Sequence, residues 1–148
     1  MTKTKIATIG FTQTTAEGFF ERLLKNDVRR LIDVRLHNTS QLAGFAKADD
    51  LAYFLRRIGG IQYVHLPLLA PTDNMLKEYK KEKGDWGVYR GRFMALMAER
   101  RIEERLRPEL LEGVCLLCSE VTPHHCHRSL VCEYLNEKWN GALEVRHL

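Results

Sequence analysis

Val114-Cys115-Leu116-Leu117-Cys118 is an unbroken apolar run, entered from Gly113 and left through Ser119-Glu120. A run this short has strand length, and its lack of polar/apolar alternation marks a strand covered on both faces. The same pattern recurs on both sides of it. Ile6-Ala7-Thr8-Ile9, ending at Gly10, reads as a first strand and Arg30-Leu31-Ile32-Asp33-Val34-Arg35 as a second. Ile61 to Leu66 is the third, and Leu143-Glu144-Val145-Arg146 a short last one.

Amphipathic stretches separate these runs. Phe19, Phe20, Leu23 and Leu24 recur at helical spacing, and Thr14 with Glu17 has the form of a capping box at that helix's start. Asn26-Asp27 stops it. Leu51, Phe54, Leu55 and Ile58 form the next helical face, closed by Gly59-Gly60, a pair suited to left-handed backbone. Residues 37–47 show no clear period and read as a loop. Asp73 to Trp86, rich in lysine, is either a solvated helix or an excursion before the next element. Tyr89 to about Leu106 is helical, with Phe93, Leu96 and Met97 on one side, and Leu130, Val131, Tyr134, Leu135 and Trp139 line a last helix.

Strand and helix thus alternate along all 148 residues, with no internal repeat and no linker. The expectation is one Rossmann-like α/β domain over residues 1–148: a mostly parallel, five-stranded sheet with helices on both faces. In such sheets ligands bind beyond the carboxyl ends of the strands. A content of 45% hydrophobic and 28% charged residues excludes a disordered tail or a collagen-like repeat. No apolar run approaches the roughly 20 residues of a spanning helix, and no secretory h-region follows Met1. A cytoplasmic protein without membrane contact is expected. The formal charge of +4 is a mild bias toward anionic partners.

The densest chemistry lies between Cys115 and Arg128. In a reducing cytosol a disulfide is not expected. Cys115 and Cys118 have CxxC spacing, but positions three apart on a strand face opposite sides, so Cys115 reads as core. Cys132, in an apolar helix, reads the same way. Cys118 ends its strand, and Glu120 shares its face if extended geometry persists, so both border the crevice. Cys126-His127-Arg128 opens the last long helix, where free N–H groups and a guanidinium suit a phosphate or carboxylate, and where a thiol is drawn toward thiolate. His124, His125 and His127 beside Cys126 raise a metal option, but the spacing matches no closed zinc pattern, and no residue is assigned as a metal ligand.

Asp33 and Arg35 interrupt an apolar strand, where a lone charge is costly to bury. Sharing a face, they pair with each other, with Arg128 or with a ligand. Thr12 and Gln13 follow the first strand toward the same crevice, whereas Thr14 is the helix cap. There is no GxGxxG loop, no GxxxxGK[ST] loop and no GxSxG elbow.

Four local patterns, Thr8-Ile9-Gly10, Ile32-Asp33-Val34-Arg35, Tyr63-Val64-His65-Leu66-Pro67 and Cys118-Ser119-Glu120 followed by Cys126-His127-Arg128, resemble the domain of unknown function 488 family of mostly bacterial and archaeal proteins. The resemblance covers essentially the whole chain. It implies a compact Rossmann-like α/β fold and no settled activity, with a link to nucleoside or nucleic-acid glycosidic chemistry by analogy. One departure is Gly10-Phe11-Thr12, where members commonly read Gly-His-Ser.

The leading functional reading is a small enzyme acting on a nucleotide-like or other anionic substrate. In it Glu120 is nucleophile or general base. Asp33 is grouped with it in the catalytic unit and orients an arginine. Arg35 and Arg128 hold the anionic group, Thr12 binds a hydroxyl, and Cys118, Cys126 and His127 border the pocket. Two other enzymatic readings stand beside it: Cys126 as a reactive thiol with His127 or His125 as base, and a metal enzyme using Cys118, Cys126 and a histidine. The non-enzymatic reading is a module that binds nucleic acid or anions through Arg35, Arg128 and the lysine-rich segment. The sequence leaves the cofactor unknown.

Overall fold

The computed structural model describes residues 3–11, 14–37, 44–81, 85–118 and 127–148. Within them the chain runs β1 (Thr4–Gly10), α1 (Ala16–Lys25), β2 (Arg30–Asp33), α2 (Ala48–Gly59), β3 (Gln62–His65), α3 (Asp73–Lys81), α4 (Trp86–Arg100), α5 (Ile102–Arg105), β4 (Val114–Cys118), α6 (His127–Lys138) and β5 (Leu143–His147). Short 3-10 turns occupy Gly44–Ala46, Pro67–Leu69 and Pro108–Leu111.

The strands form one sheet in the order β3-β2-β4-β1-β5, and every pairing is parallel. This is the expected α/β architecture. Because side chains alternate across each strand, the sheet divides the core in two. Ile6, Ile32, Val114, Leu116 and Cys118 face one cluster with Phe93, Met97, Leu130, Val131 and Leu135 of α4 and α6. Ala7, Ile9, Leu31, Cys115 and Leu117 face the other with Phe19, Phe20, Leu23, Leu51 and Leu55 of α1 and α2. Both faces are covered, which is why the strands carry continuous apolar runs.

This division also locates the crevice. The chain leaving β2 enters α2 on one face, whereas the chain leaving β4 enters α6 on the other. β2 and β4 are neighbours, paired from Arg30 with Val114 to Asp33 with Leu117. Their carboxyl ends therefore flank a switch point, the place where open α/β sheets hold ligands.

Three local expectations need correction. The cap of α1 is Thr15, whose hydroxyl accepts from Gly18 N, and no capping box forms. The Thr14 hydroxyl instead donates to Phe11 O at 2.6 Å, closing the turn that also takes Thr14 N to Phe11 O. The helical run from Tyr89 toward Leu106 is broken at Arg101, whose left-handed backbone (φ 52°) ends α4 and starts α5. Leu24 and Ile58 are not core: they are 38% and 47% exposed. They line an apolar cleft with Phe20, Phe45 and Phe54 at the rim where α1 and α2 diverge.

The lysine-rich segment forms a helix over Asp73–Lys81, the first of its two readings. Gly60 takes the left-handed conformation at φ 62°, and its N–H caps the end of α2 by reaching Arg56 O. Among the described residues no helix is long and apolar enough to cross a membrane.

Candidate functional site

β2 ends at Asp33, and the next two residues carry the chain over the crevice. Val34 N still donates to Leu117 O, so β4 holds this exit in place. Asp33 is fully buried and Arg35 is 5% exposed. They pair with each other, one of the partners the sequence left open. Arg35 Nε donates to Asp33 Oδ1 at 2.8 Å and Nη2 to Oδ2 at 2.7 Å, a two-pronged contact. Arg35 N adds a bond to Oδ1 at 3.1 Å, curling the segment onto the carboxylate. Nη2 also donates to Ala46 O at 2.7 Å, and the guanidinium lies over the Phe11 ring, 5.0 Å from its centre. Nη1 is left: it is buried and has no hydrogen-bond partner among the described residues.

Neighbouring elements brace this turn. From β3, the Tyr63 hydroxyl donates to Asp33 Oδ2 at 2.6 Å. Each oxygen of the carboxylate thus accepts two bonds, so Asp33 is engaged as a holder of charge and shape. His65 Nε2 lies 2.7 Å from Arg35 O, and His127 Nε2 lies 2.7 Å from Val34 O. A carbonyl only accepts, so both rings carry their proton on Nε2. Burial holds the His127 pKa down at about 4, against a smaller upward pull from its bond to Val34 O. His127 is therefore neutral near pH 7. Its ring packs against Phe93, with centres 5.8 Å apart.

Arg128 follows His127 in the first turn of α6 and is fully buried. Its Nη1 donates to Cys118 Sγ at 3.2 Å, at the carboxyl end of β4. The two arginines thus serve different neighbours. Arg35 packs with Phe11 and Ala46 of the α1/α2 cluster, whereas Arg128 meets Cys118 of the α4/α6 cluster. The backbone of residues 33–35 is tied to α6 through His127.

One cysteine expectation is corrected. Cys118 is disulfide-bonded. The argument from a reducing compartment says nothing of two sulfurs that the fold brings within bonding reach. Cys115 and Cys132 are free and buried on opposite faces of the sheet, as core residues should be. Burial pushes both thiols up, Cys132 to about 12, although Arg128 pulls each the other way.

Of the residues singled out from sequence, Asp33, Arg35, Cys118, His127 and Arg128 gather at the carboxyl ends of β2 and β4. Thr12, Gln13, Glu120, His124, His125 and Cys126 lie outside the described residues. Sequence reasoning assigned no role to Tyr63, His65, Phe11 or the Ala46 carbonyl. Tyr63 and His65 could have been found by aligning the third run with the second, since Asp33 pairs with His65 and Leu31 with Tyr63. The Ala46 contact has no sequence signal.

This arrangement holds a rigid guanidinium with one unused donor nitrogen, Nη1, fixed by a saturated carboxylate. Such a group suits a planar or tetrahedral anion. No cluster of three or more metal-binding side chains occurs among the described residues. Neither the curated proteins nor the solved structures contain a match to the chain. The family model described as a domain of unknown function, DUF488, matches residues 15–135, which take in every described residue of this site except Phe11. The chain belongs to that family.

Proposed function

We propose that this protein is a small enzyme acting on an anionic, nucleotide-like substrate in the crevice beyond β2 and β4. The observation that carries the reading is Arg35 Nη1, a buried cationic donor without a partner among the described residues. Buried polar groups are almost always satisfied, and an orphan at a strand-end crevice is best explained by a ligand. The Asp33 carboxylate and the Tyr63 hydroxyl hold the guanidinium in place, so little ordering remains to be done on binding. Arg128, buried at the carboxyl end of β4, adds positive charge.

In this reading Glu120 supplies the reacting carboxylate, as nucleophile or general base, opposite a sugar carbon that develops positive charge as its glycosidic bond breaks. Thr12 contacts a substrate hydroxyl, and Cys126 borders the pocket with His127. Asp33 positions Arg35, because both of its oxygens are occupied by donors from Arg35 and Tyr63.

A panel of nucleosides and nucleotides, assayed for release of base or sugar phosphate, tests this. Turnover in the wild type that is lost in Glu120→Gln, with binding and folding retained, supports the assignment. Full activity in Glu120→Gln removes Glu120 from the chemistry. Binding without turnover of any panel member makes the site an anion-binding module.

A further inference from the structure

We infer that the cleft between α1 and α2 is a binding site for a small hydrophobic ammonium ion. It shares no residue with the Arg35 site, and the inference does not depend on the reading proposed there. The cleft has a volume of about 330 Å³ and is lined by the two helices and the turn before α2. Three phenylalanines make its walls. The Phe20 ring stands 5.9 Å from that of Phe45 and 6.1 Å from that of Phe54, at interplanar angles of 60° and 72°. Rings steeply inclined to one another around one space are the arrangement by which aromatic cages hold alkylated ammonium groups.

The sequence shapes this space. A Cβ at Gly59 would stand 2.6 Å from Leu24 Cδ2, so glycine lets α2 close onto α1 near their carboxyl ends. Toward the amino ends Phe45 packs on Phe19 and Phe20, with ring centres 5.3 and 5.9 Å apart, and Ala16 contributes only a methyl group to the lining. Leu24 and Ile58 stay exposed at the edge.

Charge selects the occupant. Glu17 and Glu21, one turn apart on α1, are exposed and line the cleft, and among the described residues no lysine or arginine lines it. Arg22 and Lys25 lie on the other flank of the helix, where they line a separate cleft with Thr14 and Gly18. Neither carboxylate forms an ion pair or a hydrogen bond among the described residues. An apolar floor with two unpaired carboxylates at its edge complements a molecule with an apolar body and one positive charge. Size points to a small molecule. The volume falls in the range of about 300–1,000 Å³ typical of small-molecule pockets. A stable protein interface takes about 20–30 residues a side, and eight residues line this cleft.

The test titrates benzyltrimethylammonium into the full chain and follows backbone amide shifts by NMR, with benzyl alcohol and benzoate as the neutral and anionic counterparts. Saturable shifts at Phe20, Phe45 and Phe54 are expected, with a Kd of about 1 mM or tighter and at least about a fivefold preference over benzyl alcohol. The double variant Glu17→Gln/Glu21→Gln changes two exposed side chains, and should weaken the cation at least about fivefold while leaving benzyl alcohol unchanged. Phe54→Leu keeps the wall apolar and should weaken the cation about threefold. Should Phe54→Leu not fold, the carboxylate variant decides. No saturable binding up to about 10 mM, equal affinity for the cation and benzyl alcohol, or a cation affinity unchanged in the carboxylate variant overturns the inference. So does concentration-dependent dimerisation that Ile58→Lys abolishes, because the cleft is then an interface between copies of the chain.

Discussion

Tyr63 of β3 places its hydroxyl 2.6 Å from Asp33 Oδ2 of β2, on the carboxylate that also clamps Arg35. Two neighbouring strands thus combine to fix one guanidinium at the end of the sheet. The stability of the region and its chemistry depend on the same few bonds.

Removing the carboxylate should therefore be expensive. Asp33→Ala leaves the Arg35 charge buried without its counter-ion and is expected to cost about 3–5 kcal/mol. Tyr63→Phe deletes one hydrogen bond to a charged acceptor and should cost about 2 kcal/mol. Urea unfolding of both variants, read from midpoints at unchanged slope, checks the order. A loss of less than about 0.5 kcal/mol in Asp33→Ala would show that the pair is not structural.

His127 predicts an acid-sensitive fold. Its folded pKa of about 4 lies below the unfolded value near 6.5, so the unfolded chain takes up a proton first as pH falls. The contribution is fully present above pH 6.5, declines between 6.5 and about 4, and is flat below. Because the ring is only partly buried, the total is on the order of 2 kcal/mol. Burial and then Arg128 lower His147 as well, adding in the same direction. His127→Gln should flatten the stability slope between pH 6.5 and 4 relative to wild type. An unchanged slope would contradict the assignment.

Two left-handed positions should respond with opposite signs. Gly60 at φ 62° has open space where a Cβ would project, so Gly60→Ala meets only backbone strain and should destabilise by about 1 kcal/mol. Arg101 at φ 52° already bears that strain, and its 3.9 Å approach to Glu104 is exposed and weak. Arg101→Gly should stabilise by roughly 0.5 kcal/mol. Thermal melts of the two variants, run side by side, test the pair.

The fold was legible because a sheet buried on both faces writes itself as continuous apolar runs, as in Val114–Cys118. Asp33 and Arg35 stood out for the complementary reason, as charges inside such a run. What could not be read depends on contacts between distant segments. Tyr63 reaches Asp33 through the register of β2 against β3, and Ala46 reaches Arg35 through a loop without periodicity. Thr14 and Thr15 are equally good caps locally, and the Phe11–Thr14 turn decides between them. Arg101 breaks its helix without glycine or proline. The Cys118 disulfide was missed because compartment was weighed in place of geometry.

The central claim is that the unpartnered Nη1 of Arg35 holds an anion. Calorimetric titration of a nucleoside monophosphate into wild type and into folded Arg35→Lys, at low and moderate salt, tests it most directly. The account predicts wild-type binding that weakens with salt, and at least about a tenfold loss in the lysine variant, whose single nitrogen cannot hold Asp33 and reach an anion at once. Equal affinity in the two folded proteins would contradict it.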